Sequence, residues 1–292
     1  MKITKELLKE KGACAAGYRD FLKEYPVDKY PDGVEYQELL DCCAEKDFSY
    51  GSWLLGAFGK TDEVRKIDGD LIVEKGIIFA GRLEVKGCIK AGGGIEAGWG
   101  IDVGGGIEAG FGIKADESIR AGLGIKAGYG IEAGWGIEAG GGIEAGNGIK
   151  AGNGIKAGLG IKAGNGIKAG LGIKAGYGIE AGWGIEAGGG IEAGNGIKAG
   201  LGIKAGYGIE AGWGIDAGNG IKAGNGIKAG LGIKAGWSIR AGDGIEAGDE
   251  FGIYAGLHFR ITNKTQRKII AKERPENIMC GEFEEKKDDA VR

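Results

Sequence analysis

Three prolines, one histidine and two methionines in 292 residues, with no long unbroken apolar stretch, already narrow what this chain can be. So little proline, with glycine absent from a strict every-third position, excludes a collagen triple helix. No stretch reaches the roughly 18 continuous apolar residues a membrane-spanning helix needs. The first residues, MKITKELLKEKG, have no apolar core of a secretory signal, so the chain reads as cytoplasmic with no membrane partner. Five cysteines (Cys14, Cys42, Cys43, Cys88 and Cys280) are odd in number and form no CxxC pair. Neither a disulfide framework nor a zinc site is signalled, and reduced thiols are the expectation. Charge of one sign is missing as well: 38 basic and 41 acidic side chains leave a net of −3, which favours no nucleic-acid partner.

Glycine is what the chain has in excess, 67 residues, alongside a hydrophobic fraction of 42%. Simple disorder would not place apolar residues at fixed intervals. From Ile89 to Glu246 one six-residue unit, Ile-Lys/Glu-Ala-Gly-X-Gly, repeats without insertion. Isoleucine and alanine are two apart, so on an extended segment they share a face and the charge between them points away. Gly-X-Gly then supplies a bend, which we ascribe to backbone angles open only to glycine. Strand and corner in alternation make a β-solenoid.

The register extends outward in steps of six. Leu71/Val73, Ile77/Phe79 and Leu83/Val85 precede the strict repeat, and Phe251/Ile253 and Leu257/Phe259 follow it, with larger inward residues expected to close the ends of the core. Charges set the coil length, because stacked strands should bring opposite signs together. Between Lys90 and Glu246, 19 of 24 stacked pairs are opposite for an 18-residue coil, 16 of 25 for 12 residues and 13 of 23 for 24. One column alternates throughout: Lys90, Glu108, Lys126, Glu144, Lys162, Glu180, Lys198, Asp216, Lys234. The expected fold is therefore mainly β, a three-sided parallel solenoid of nearly eleven coils, about 50 Å long at 4.8 Å per coil.

The variable residue X is Trp, Tyr, Phe or Leu in 14 of 27 units, whereas isoleucine and alanine hardly vary. A residue that changes this much cannot fill a constant cross-section, so X belongs outside, at the corners. The candidates for partner binding or self-assembly are Trp99, Phe111, Tyr129, Trp135, Tyr177, Trp183, Tyr207, Trp213 and Trp237, with Trp53 in the N-terminal segment. Residues 121–152 recur letter for letter at 169–200, an offset of 48 that is not a whole number of coils. The copied aromatics thus fall on different edges, which disfavours a single stripe for a glycan or an ice plane.

Residues 1–65 read as a small helical unit: Glu6–Phe21 and Val34–Glu45 have helical patterning, and Tyr50–Phe58 is a further apolar stretch. Its expected role is a cap for the first coil. The solenoid is assigned to 66–260, and 261–292 to cap strands at Lys268–Ala271 and Ile278–Phe283 with a charged tail. Candidate chemistry is sparse. His258 is the single histidine and should point outward between Leu257 and Phe259. One histidine cannot supply the three ligands of a carbonic-anhydrase-type metal centre, and the GxG triplets lack a βαβ unit around them. Glu132, Glu138 and Glu144 are read as solvated face residues, so no catalytic residue, metal or cofactor is expected.

The GIxAGxG hexads, with the LxV units at Leu71 and Leu83, resemble the core of bactofilins, polymer-forming bacterial cytoskeletal proteins. That resemblance implies a right-handed coil and a self-assembling homo-oligomer, although the hexads alone can also be fitted to left-handed winding. KGACAAGYRDF and CAEKDFSYGSWLLGAFGK resemble segments of uncharacterised phage and prophage proteins. This second resemblance implies a phage counter-defence protein, for example an anti-CRISPR-type inhibitor, that binds and blocks a host complex.

Overall fold

The computed structural model describes residues 1–257 and 264–286. Each hexad forms a three-residue strand with the isoleucine and alanine buried and the charge outside, as at Ile161, Lys162 and Ala163. The strands build three parallel sheets of 12, 12 and 11 strands, so the rod has about twelve coils. Face one runs from Leu71–Val73 to Ile278–Cys280, face two from Ile77–Phe79 to Glu282–Glu285, and face three from Val64–Ile67 to Ile245–Glu246. Register is uniform over the strict repeat: Ile143, Glu144 and Ala145 lie against Ile161, Lys162 and Ala163, so the coil is 18 residues. Three isoleucines enter the core per coil, each contributing about 1.5–3 kcal/mol relative to exposure, which offsets the ordering cost of so much glycine.

The corners hold the coils together as firmly as the strands do. At Gly110-Phe111-Gly112, the Gly110 N–H donates to the Ala91 carbonyl (2.9 Å) and the Phe111 N–H to that of Gly93 (3.1 Å). The following Ile113 N–H donates forward to the Gly130 carbonyl (3.0 Å). The reason for the glycines differs from the one the sequence suggested. None of the corner glycines from Gly92 to Gly248 lies in the left-handed region. A Cβ on the first glycine of a corner, such as Gly164, would instead collide with the backbone carbonyl oxygen of the residue 18 positions earlier, here Gly146. The second glycine has more room: a Cβ at Gly166 would lie 3.2 Å from the Gly184 carbonyl oxygen, and Ser118 and Ser238 occupy equivalent places. Asp116 takes the first-glycine place once, and its N–H does not make the bond to the preceding coil that Gly110 and Gly122 make.

Register past Glu246 departs from the simple extension. The corner there reads Gly-Asp-Glu-Phe-Gly, two residues longer than Gly-X-Gly, so Ile253 and Ala255 pair with Ile233 and Ala235 at an offset of 20. The extra length moves Phe251 and Leu257 to the surface, and the second inward residue stays alanine at Ala255 and Ala271. Phe259 lies outside the described residues. At the opposite end the inward residues do enlarge, to Phe79, Val85 and Val103. There the Arg65 guanidinium lies 4.7 Å from the Phe79 ring centroid and 3.7 Å from the Asp41 carboxylate, closing the apolar core with a cation whose stem is apolar.

Four helices precede the rod: α1 (Lys5–Glu10), α2 (Ala15–Glu24), α3 (Tyr36–Lys46) and α4 (Phe48–Phe58). The single helix expected over Glu6–Phe21 is two, broken at Gly12 with φ 77°; the Cys14 sulfur caps α2 by accepting from the Gly17 N–H. These helices pack on the outer face and free edge of Ile77–Phe79. Ile78 occupies an outward slot where most later coils carry a charge, yet it is 0% exposed under α3 and α4. The Gln37 side chain stands in for the missing neighbouring strand, donating to the Ile78 carbonyl (2.7 Å) and accepting from the Ala80 N–H (3.1 Å). Gly51 permits this approach, since a Cβ there would run into the Ile78 Cδ1.

Candidate functional site

Three lines of variable residues run along the corners, one residue per coil. Between faces one and two the line contains Phe111, Tyr129, Trp183 and Trp237; between faces two and three, Trp99, Trp135 and Tyr207; between faces three and one, Tyr177 and Trp213. Backbone bonds between successive members fix their spacing, as from the Tyr129 N–H to the Phe111 carbonyl (3.3 Å). Phe111 and Tyr129 are the pair brought into stacking, with centroids 5.5 Å apart and planes at 26°. Elsewhere asparagine, glycine or leucine separates the aromatics. Of the 14 apolar variable residues, 12 are exposed, with Tyr207 at 64%.

Two of the candidates are partly committed to the fold. Trp99 is half-buried: its Nε1–H donates to the Thr61 carbonyl (2.8 Å) and the Lys60 ammonium sits 3.6 Å over its ring, tying the linker after α4 to the rod. Trp237 is the least open of the exposed group, at 38%. Trp53 on α4 is exposed and meets Phe58 edge-on at 6.5 Å. His258 lies outside the described residues.

Sequence patterning did not identify the junction between helices and rod. There Glu96, 4% exposed, accepts from the Ser52 hydroxyl of α4 and pairs with the Lys114 Nζ at 2.8 Å. A signal existed in Ile78, apolar in a charged slot, but Ile72 shares that property and is 70% exposed. Only the docking of the helices distinguishes the two.

Between corners, each face forms a long shallow groove floored by glycine and isoleucine and flanked by the charge column. On face two the groove begins at Phe48 and Ser52 of α4 and ends at Arg240. A more enclosed cleft of about 480 Å³ lies within the helical unit, lined by Cys14, Tyr25, Cys42, Cys43, Tyr50 and Trp53 among others. Burial, with a smaller contribution from Cys42, pushes the Cys43 thiol up to about 12. Burial and then the hydrogen bond with Cys42 hold the Tyr25 hydroxyl above the ordinary phenol range. Cys43 therefore stays a thiol at mildly alkaline pH and is a poor nucleophile. Iodoacetamide should modify the exposed Cys14 and Cys88 first and Cys43 last, as peptide mass mapping would show; equal rates would contradict this picture.

On the faces, ion pairs join successive coils: Lys150 with Glu132 (2.8 Å), Lys156 with Glu138 (2.9 Å) and Lys174 with Glu192 (2.7 Å). These exposed pairs contribute about 0.2–1 kcal/mol each and oppose slippage between nearly identical hexads. Glu186 sits between Lys204 (3.0 Å) and Lys168 (3.5 Å), and the hydrogen bond from Lys204 holds its carboxyl below the usual value. Among the described residues, no cluster of three or more His, Cys, Asp or Glu is placed to hold a metal ion, and no helix is long and apolar enough to cross a membrane. Comparison with protein-family models, with curated proteins and with solved structures finds no match.

Proposed function

We propose that the chain is a non-enzymatic rod that self-assembles or binds other proteins, presenting aromatic corners and salt-bridged Lys/Glu faces. The observation that carries this reading is the set of 12 exposed apolar corner residues on a scaffold whose faces are otherwise charged. Apolar surface distributed in this way favours contact with protein surfaces over solvent. Both terminal strands of face one add to it: Leu71–Val73 exposes Ile72, and Ile278–Cys280 exposes Met279 at 65%. A strand edge with an apolar neighbour readily accepts another chain. The bactofilin resemblance supports the self-assembling form of this reading and a cytoplasmic setting.

Light scattering across a concentration series tests it. Mass should grow with concentration, and replacing Trp135, Trp183 and Trp213 together with asparagine, the residue native at Asn147, Asn153 and Asn195, should lower it while the rod stays folded. A constant monomer mass for the native chain would remove self-assembly. The cleft and exposed Trp53 of the helical unit favour a second reading, a phage-encoded inhibitor of a host defence complex. A stable monomer or dimer that captures one such complex through the helical unit would select it.

A further inference from the structure

The charge ladder breaks its own rule in one place in a way that the rod does not repair. Five stacked pairs are like-signed: Lys150–Lys168, Lys156–Lys174, Glu192–Glu210, Lys204–Lys222 and Lys222–Arg240. In the first two, both lysines have an acid on their other side and pair with it: Lys150 with Glu132, Lys168 with Glu186, Lys156 with Glu138 and Lys174 with Glu192. Lys204, Lys222 and Arg240 instead form an uninterrupted run of three cations on face two. Lys204 reaches Glu186, but among the described residues neither Lys222 nor Arg240 has a carboxylate within ion-pair distance. Like charges directly stacked on neighbouring strands are destabilising.

The run also lies on the most cationic face. From Glu96 to Arg240, face two carries six cations and three anions, against five and four on face one and four and five on face three. Beside the run, Leu201 and Trp237 stand on one corner and Tyr207 on the other, all exposed. Gly220, Ile221 and Ser238 contribute to the groove between them.

We propose that Lys204, Lys222 and Arg240 form a docking site for an acidic polypeptide segment with apolar residues beside its carboxylates. The carboxylates supply the missing acid of the ladder, and the apolar residues meet Leu201, Trp237 and Tyr207. A nucleic-acid backbone fits less well: three cations make few phosphate contacts, Glu186 and Asp243 bracket the run, and a net charge of −3 repels a long polyanion. This inference rests on the reading of the chain as an interaction rod.

The test uses the full chain and a fluorescein-labelled peptide of glutamate interspersed with leucine, read by anisotropy. Lys222→Glu converts the run to Lys-Glu-Arg, restoring alternation. It should raise the melting temperature while weakening peptide binding about tenfold or more, an opposition that a purely structural role would not produce. Lys126→Glu on face one makes the same change in net charge and should leave binding intact. Binding by the native chain should also weaken as salt is added. Equal binding by Lys222→Glu and the native chain, or no binding by the native chain, overturns the site. Tighter binding of a labelled single-stranded oligonucleotide than of the peptide overturns the class of partner. Failure of self-assembly would appear in the mass by light scattering and leave the anisotropy result standing, so the two readings fail separately.

Discussion

Gly164→Ala, the addition of one methyl group, should destabilise the middle of the rod by about 3 kcal/mol or more, while Gly166→Ala two residues away should cost about 1 kcal/mol or less. The difference comes from stacking. The Gly164 Cβ would meet the Gly146 carbonyl oxygen well inside van der Waals contact, and that oxygen is backbone with no rotamer to move into. Relief requires lifting one coil from the next at that corner, which lengthens the bond from the Gly164 N–H to the Ala145 carbonyl (3.0 Å). At Gly166 the added atom has 3.2 Å, a gap that a small backbone adjustment accommodates, and serine is native at two equivalent places. Thermal melts followed by circular dichroism would decide the matter. Equal losses in the two variants would mean that the corner glycines serve some purpose other than close approach.

Ile78→Lys should detach the helical unit while the rod keeps its β-structure. By the rule of the repeat lysine is the natural residue at this slot, since the positions stacked above it are Glu96 and Lys114. Position 78, however, is fully covered by α3 and α4, and a lysine there would be buried with no carboxylate placed to receive it. An unpaired buried charge costs several kcal/mol, roughly 3–5 when a compensated arrangement is broken, more than the docking contacts can absorb. Limited proteolysis should then release fragments from residues 1–60 and leave the solenoid intact. Continued protection of the helices in this variant would mean that the Gln37 and Glu96 contacts suffice to hold them.

The cross-section of the rod is readable in the hexad because its causes are local and repeated. Ile-charge-Ala decides which side chains enter the core, and the alternation from Lys90 to Lys234 reports which strands stack, since a wrong coil length would bring like charges together along the whole column. The exposure of Trp135, Trp183 and Trp213 follows from the same pattern, because the core has constant width and their positions vary.

Where the local code changes, patterning loses its hold. Two extra residues between Gly248 and Gly252 shift Ile253 and Ala255 into the places that steps of six assign to Phe251 and Ile253. The corner glycines look identical in sequence, yet close approach makes the first nearly obligatory and leaves the second tolerant of serine. The sequence by itself determined the repeat unit, the 18-residue coil, the inward residues and the outward charges, all through spacings of 18 residues or fewer. Only the tertiary structure decided that helices cover Ile78 and not Ile72, that Arg65 closes the core over Phe79, and that Lys222 and Arg240 are left without acids. Each of these depends on which distant segments share a surface, and a periodic sequence, offering nearly equivalent surfaces in every coil, carries little record of that choice.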